Sequence, residues 1–243
     1  DDYLNRILVR TLEGDLLNTW GESGTEEGQL NGPNGITFNS KDELIVSDHL
    51  NGRIQKFTGD GKHLATFGEP GSGDGQLNLP WEVCTDYEDN IYVADWGNDR
   101  IVKFSSDGRF QVNFGSSGRD DGELNAPSSV CVDSDGYIYI ADWGNQRIQI
   151  FNSSGDFVQL NRGKATISKW AQDFLDTNVE EGEARANANL EPEVEFNTDD
   201  LHEESAHIEK YFWGPTSLAM DNDSHLFVVD SNRHRLQVFD IQR

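Results

Sequence analysis

The sequence predicts an all-β fold of repeated four-stranded units, interrupted once by a short helical insertion. Three observations predict it. The stretch Ile91-Tyr92-Val93-Ala94-Asp95-Trp96-Gly97-Asn98-Asp99-Arg100-Ile101 returns 47 residues later as Ile138-Tyr139-Ile140-Ala141-Asp142-Trp143-Gly144-Asn145-Gln146-Arg147-Ile148. It is present 47 residues earlier as Leu44-Ile45-Val46-Ser47-Asp48 running to Arg53-Ile54. An Asp stands five residues before an Arg five times: Asp1/Arg6, Asp48/Arg53, Asp95/Arg100, Asp142/Arg147 and Asp230/Arg235. Short apolar runs alternate with Gly-rich and polar turns throughout, as strands and their connections do. Four strands in about 47 residues is the size of a propeller blade. One domain over 1–243 is therefore expected, with 164–211 as an insertion inside it.

Taken in order, residues 1–21 read as the two outer strands of a blade: Ile7-Leu8-Val9, a Glu13-Gly14 turn, then Leu16 to Trp20. Arg10 stands where the other units place Phe57, Phe104, Phe151 and Phe239. The first full unit opens with Gly21, Gly24 and Gly28 before Gln29-Leu30-Asn31-Gly32-Pro33. The second opens with Gly68, Gly71 and Gly75 before Gln76-Leu77-Asn78-Leu79-Pro80, and the third with Gly115, Gly118 and Gly122 before Glu123-Leu124-Asn125-Ala126-Pro127. After each Pro a first strand is expected, as in Ser129-Val130-Cys131-Val132. A polar turn such as Asp133-Ser134-Asp135-Gly136 leads to an almost wholly apolar second strand, Tyr137 to Ala141. Such a run fits a strand covered on both faces by neighbouring sheets. A third strand from Arg147, a Ser154-Gly155 turn and a fourth strand, Phe157 to Leu160, complete the unit.

The repeat stops at about Lys164 and resumes at Phe212-Trp213-Gly214-Pro215. That is an insertion of 41 residues. Ser168 is a candidate cap for a helix carrying Trp170, Phe174 and Leu175, which is expected to pack through its Trp170 side. Asn178 with Glu181 has the spacing of a capping box for a second helix. Thirteen carboxylates between Asp173 and Glu209 face one Arg, Arg185, so a partly mobile excursion is expected. Residues 212–243 then supply three strands of a last blade. Four repeats plus half a blade do not close cleanly. The expectation is an N-terminally truncated piece of a six-bladed parent, lacking roughly 75 residues at the repeat length. Closure as five blades, with the N-terminal pair joining the C-terminal strands, ranks second.

The glycine pattern, the Gln-Leu-Asn-x-Pro lead-in and the Asp-Trp-Gly-Asn-x-Arg-Ile signature resemble NHL repeats. The likeness covers nearly the whole chain outside the insertion. It implies a β-propeller, usually six-bladed, whose repeats act mostly as interaction platforms. The stretch from Ser168-Lys169-Trp170 to Phe212-Trp213-Gly214-Pro215 also resembles an insertion found in a bacterial subgroup of such proteins.

Composition excludes several functions. A net charge of −25 opposes nucleic-acid binding, which rests on a Lys/Arg footprint, and opposes anionic membrane surfaces. No run is long enough to span a membrane. Cys84 and Cys131 are one repeat apart and read as small buried residues between blades, since packed sheets stand about 10 Å apart, too far for a disulfide. They leave the compartment undetermined, cytoplasmic or exported, and the oligomeric state is equally open.

The repeated Asp and Arg read as scaffold, because a carboxylate tied to an Arg across a turn is a charge-assisted fastening and a catalytic group would stand alone. Some NHL-type proteins are zinc-dependent lyases, and the resemblance places their zinc histidines just after the repeat Pro, facing the channel. The residues here are Asn34, Trp81, Ser128 and Thr216, none of them His. His202 and His207 have no recognised helical ligand spacing. Lactonase-like propellers hold a divalent cation in the channel, so calcium is the alternative cofactor. Asp133-Ser134-Asp135-Gly136 lacks the later carboxylates of a calcium loop and suits a hairpin turn. No catalytic residue, metal ligand or cofactor is assigned. The expected function is a non-catalytic scaffold that binds a protein, a peptide or a small ligand where the repeats differ. The candidate contacts are Asn34, His49, Trp81, Glu82, Trp96, Ser128, Trp143 and Thr216. A lactonase- or lyase-like enzyme that uses a divalent cation is the alternative.

Overall fold

A computed structural model describes residues 1–165, 167, 169–191 and 200–241. The chain opens with the hairpin β1 (Ile7–Arg10) and β2 (Leu16–Trp20). Three four-stranded antiparallel blades follow. The first holds β3 (Pro33–Phe38), β4 (Leu44–Asp48), β5 (Arg53–Phe57) and β6 (His63–Phe67). The second holds β7 (Pro80–Thr85), β8 (Ile91–Asp95), β9 (Arg100–Phe104) and β10 (Phe110–Phe114). A short parallel pair, β11 (Ser116–Ser117) and β12 (Glu123–Leu124), leads to the third, β13 (Pro127–Val132), β14 (Ile138–Asp142), β15 (Arg147–Phe151) and β16 (Phe157–Asn161). The insertion contributes α1 (Lys169–Thr177), α2 (Val179–Asn187) and α3 (Leu201–His207). The last blade has three strands, β17 (Pro215–Met220), β18 (His225–Asp230) and β19 (Arg235–Asp240).

The first strands β3, β7, β13 and β17 stand side by side along the inner rim. Between each pair of neighbouring blades lies one apolar seam. Ile45, Ile54 and Phe67 of the first blade meet Val83, Ile91, Val93 and Phe104 of the second. Tyr92, Ala94 and Ile101 then meet Val130, Ile138, Ile140 and Phe151 of the third. This explains the apolar second strands. Alternate residues of β8 point into opposite seams, Ile91 and Val93 one way, Tyr92 and Ala94 the other, so neither face reaches water.

The hairpin β1–β2 packs Ile7 and Trp20 against Leu30, Leu44, Val46 and Phe57 of the first blade. It provides outer strands only. Ile36 on β3 is therefore exposed, where its counterparts Val83 and Val130 are buried. The hairpin and β17–β18–β19 form separate sheets, so the five-bladed closure is not formed and the arc is a partial propeller.

Asn178 does precede α2, but its side chain makes no cap bond to that helix. Its Nδ2 donates instead to the Phe174 carbonyl at the end of α1, so the expected capping box gives way to a link between helices. Ser168 and the Trp170 side chain lie outside the described residues. A third helix, α3, was not anticipated. Its signal is Asp200, whose side chain accepts from the His202 amide at the N-terminus. No described helix is long and apolar enough to cross a membrane.

Candidate functional site

Each blade turns from its second to its third strand through a short 3-10 turn: His49–Asn51, Trp96–Asn98, Trp143–Asn145 and Ser231–Arg233. The next residue is left-handed, Gly52 at φ 60°, Asp99 at 53°, Gln146 at 54° and His234 at 50°. This geometry places Asp48 opposite Arg53, Asp95 opposite Arg100, Asp142 opposite Arg147 and Asp230 opposite Arg235.

The fastening goes further than a single ion pair. Asp142, fully buried, accepts from Arg147 Nε at 2.7 Å, from Asn145 Nδ2 at 2.9 Å, from Gln149 Nε2 at 3.0 Å and from the Asn125 amide at 2.7 Å. The Arg147 guanidinium also donates to the Arg119, Asp120 and Glu123 carbonyls. Asp48 and Asp95 repeat the scheme with Arg53 and Arg100. Burial still pushes the Asp95 and Asp142 carboxyls upward, against these hydrogen bonds. These hydrogen bonds join the glycine-rich loop to its blade. The repeated pair is scaffold.

The candidate contacts sit around these turns and at the start of the inner strands. They do not form one site. Trp81, half-buried, meets His49 edge-on at 5.2 Å between ring centroids and Trp96 at 6.1 Å. The His49 Nδ1 lies 3.1 Å from the Pro80 carbonyl, which orients its ring. This three-ring surface spans the first and second blades. Trp143, on the third blade, instead faces His202 of α3 at 6.5 Å, and His202 faces Trp213 at 5.6 Å. Trp96 and Trp143 occupy the same repeat position, yet one joins an open aromatic surface and the other is partly covered by the insertion.

The remaining candidates divide sharply. Asn34 is exposed on β3 and Thr216 is half-buried on β17. Ser128 is buried, and its hydroxyl contacts the Pro215 carbonyl at 3.0 Å and the Ala141 carbonyl at 3.5 Å. It is committed to joining blades. Glu82 lies where β7 bulges out of register with β8. Burial raises its carboxyl to about 7, opposed by hydrogen bonds from the Ser217 side chain and the Val83 backbone.

Its counterparts on the other inner strands are Gly35, Ser129 and Ser217. A Cβ on Gly35 would stand 2.7 Å from both the Glu82 Cα and the Trp81 carbonyl oxygen. Ser47 Oγ bridges the same place, accepting from the Gly35 amide at 2.7 Å and donating to the Trp81 carbonyl at 2.7 Å.

Sequence reasoning missed the docking of α3. Arg233 stands where the other turns have Asn51, Asn98 and Asn145. Its Nη2 donates to the Ser205, Ala206 and Ile208 carbonyls, and its guanidinium lies 5.4 Å from the Trp213 ring. Trp213 Nε1 donates to His202 Nε2 at 2.9 Å, which requires the neutral imidazole with its proton on Nδ1. The break from Asn to Arg at residue 233 was the available signal.

His202 and His207 do not converge on a metal. His207 Nδ1 lies 2.9 Å from the Glu203 carbonyl instead. The turn at Asp133 uses its carboxylate locally, accepting from the Asp135 and Tyr137 amides and from the Tyr139 hydroxyl, as a hairpin does. Among the described residues, one group of three offers metal-capable atoms within 4.8 Å of one another: Asp221, Asp223 and His225. It sits on a turn whose Asp221 carboxylate is already used by the Asp223 and His225 amides and by the His225 ring. Cys84 and Cys131 are both free thiols.

A family model for the NHL repeat matches residues 30–57, 124–151 and 212–239. The unit between them carries the same Asp95/Arg100 fastening. Among solved structures, a streptogramin B lyase matches with a TM-score of 0.53 at 14% identity, over 99% of this chain and 61% of the other. A catalytically inactive variant of virginiamycin B lyase from Staphylococcus aureus, solved with quinupristin, matches with a TM-score of 0.57 at 13% identity, over 99% of this chain and 64% of the other. A nidogen/laminin complex matches with a TM-score of 0.57 at 15% identity, over 95% and 65%. This chain therefore spans less than two thirds of each of these structures. Likeness at such low identity concerns the fold alone. The repeated turns, the shared seams and the matched repeats agree, and the chain is built of NHL repeats arranged as part of a β-propeller.

Proposed function

We propose that this propeller is a non-catalytic recognition module that binds a protein or peptide across the turn-bearing end of its blades. The observation that carries this reading is the His49–Trp81–Trp96 surface. It is aromatic and half-buried, and it stands where the repeats differ, while the repeated polar residues are consumed by the scaffold. Trp is enriched among residues that dominate binding energy, because it offers large area with little rotamer entropy to lose. The net charge of −25 favours a basic partner through long-range attraction.

A lyase reading draws on two of the similar structures. It would need about three or four ligands converging on a zinc ion. The positions after each Pro hold an exposed Asn, a Trp engaged with two rings, a Ser bonded between blades and a Thr. That set favours recognition over metal catalysis.

The test is selection of binding peptides from a random display library, followed by titration against Trp81→Ala and Trp96→Ala. Each variant should weaken binding by tenfold or more, the size expected of a central aromatic contact. Selected peptides that bind both variants as well as the parent would overturn the reading. Calcium and zinc should leave the melting temperature unchanged. A large metal-dependent rise would favour the enzyme.

A further inference from the structure

Neighbouring units are joined by one more hydrogen bond that recurs along the arc. The left-handed residue after each turn reaches the amide that precedes the Pro of the next unit. Asn5 Oδ1 accepts from the Gly32 amide at 2.7 Å, Asp99 Oδ1 from the Ala126 amide at 2.7 Å and Gln146 Oε1 from the Gly214 amide at 2.6 Å. Two of these side chains are also held at their second polar atom. Asn5 Nδ2 donates to Ser23 Oγ at 3.0 Å, and Asp99 Oδ2 accepts from Ser117 Oγ at 2.7 Å.

The junction of the first and second blades departs from this at all three positions. Gly52 stands in the place of Asn5, Asp99 and Gln146. Pro70 stands in the place of Ser23 and Ser117, and Leu79 in that of Gly32, Ala126 and Gly214. Gly52 has no side chain to offer, and among the described residues the Leu79 amide has no acceptor. A main-chain N–H is a strong donor that folded chains almost always pair. Leu79 also keeps a left-handed backbone, φ 53°, which a leucine rarely adopts. Gly52 and Leu79 line one cavity of about 380 Å³, together with His49, Leu50, Ser72 and Leu77. His49 is a member of the three-ring surface, and Trp81 follows Leu79 by two residues.

We infer that this cavity binds a primary carboxamide, the group carried by an Asn or Gln side chain. Its carbonyl oxygen accepts from the Leu79 amide, as Asn5 and Gln146 do at their own junctions, and Leu50 and Leu77 offer an apolar wall to its alkyl chain. A carboxamide fits better than a carboxylate for three reasons. Two of the three side chains that serve this position elsewhere are carboxamides. No Lys or Arg is among the described residues that line the cavity. A net charge of −25 repels an anion. This rests on the recognition reading above and names the group that its face takes from a peptide.

The experiment titrates the whole isotope-labelled chain with n-butyramide and with N-acetyl-glutamine N-methylamide, and follows the Leu79 amide resonance. The controls are n-butyrate, N-acetyl-glutamate N-methylamide and N-acetyl-norleucine N-methylamide, the last keeping the backbone amides without the side-chain one. Both carboxamides should move the resonance downfield and slow its hydrogen exchange, at concentrations at least about tenfold lower than the controls. Gly52→Asn combined with Pro70→Ser copies the Asn5–Ser23 junction. Its own carboxamide should fill the site, so the response should vanish while circular dichroism shows the fold intact. Asp99→Gly should do the reverse and make the Ala126 amide respond at the next junction, a gain that misfolding cannot imitate.

A response to both carboxamides supports an Asn or Gln side chain as the occupant. A response to butyramide alone supports the site and restricts it to small amides. Equal responses to the carboxylates or to the norleucine probe overturn the carboxamide, and an Ala126 amide unmoved in Asp99→Gly overturns the missing acceptor as its cause. If no probe moves the Leu79 resonance but selected peptides still depend on Trp81 and Trp96, the inference fails and the recognition reading stands. If the carboxamides bind and the peptides ignore both Trp residues, the site stands and the recognition face falls.

Discussion

The turn-closing Asp/Arg pairs hold fully buried carboxylates and the inner-strand bulge a half-buried one, and the two are partnered differently. Asp142 has an Arg, an Asn, a Gln and a backbone amide around it. Glu82 has one serine and one amide. The first arrangement recurs in every full blade because each blade has the same need, to tie its glycine-rich loop to its third strand. The second occurs once, on a strand whose neighbours are stripped to Gly and Ser. Repetition marks what holds the propeller together. A break in repetition marks a position released from that common need.

Four substitutions test this contrast. Asp142→Ala strands Arg147 without its counter-ion at 5% exposure, so stability should fall by about 3–5 kcal/mol. Denaturant unfolding checks this, and a loss under about 1 kcal/mol would mean the network is not a fastening. Gly35→Ala places a Cβ against backbone atoms of Trp81, Glu82 and Val83, at 2.7 to 2.8 Å. Backbone cannot swing aside as a side chain can, so a cost of about 1–3 kcal/mol is expected, read as a lower melting temperature.

Glu82→Gln should do the reverse, by an amount that grows as pH rises from about 4.5 through 7. The folded state holds the Glu82 proton to about pH 7, against a reference value of 4.5. Unfolding therefore releases that proton between these limits. The parent loses stability as pH rises from about 4.5 through 7, and nothing is lost below that window. Gln has no such proton, so the variant should gain about 2 kcal/mol over the parent at pH 8 and nothing at pH 4. Equal pH profiles would remove the carboxylate from the contrast. The smallest effect belongs to Arg6→Ala. Arg6 meets Asp1 at 3.2 Å with 38% of its side chain exposed, so its loss should cost only about 0.5 kcal/mol. A cost matching that at Asp142 would mean that motif, not burial, sets the energy.

Much of the scaffold was legible because it is local and periodic. Asp95 and Arg100 face each other across one hairpin, and their spacing is visible in the chain. So are the polar turns at Asp133 and Asp221 and the apolar second strands. The candidate site was legible only as a list of places where units differ. His49 and Trp81 are 32 residues apart in sequence, and nothing local predicts that their rings meet. Ser128 looked like a channel residue, yet it is buried and bonded to Pro215 on the next blade. Trp143 looked equivalent to Trp96 until α3 brought His202 against it. The Asn178 box failed because the amide had a better partner, the Phe174 carbonyl one helix earlier.

By itself, the sequence determined the blade. Its period, its turns, its buried second strand and its Asp/Arg closure all follow from side-chain chemistry within one unit of about 47 residues. The tertiary structure decided what happens between units. It showed that Gly35 is there to let β3 approach β7, that Ser128 joins β13 to β17, and that Arg233 holds the insertion to the last blade. The physical reason is range. Hydrogen bonds and turn preferences act over a few residues and leave a pattern in one strand. Contacts between inner strands depend on the relative placement of whole sheets, which the packing of their seams sets and no single unit encodes.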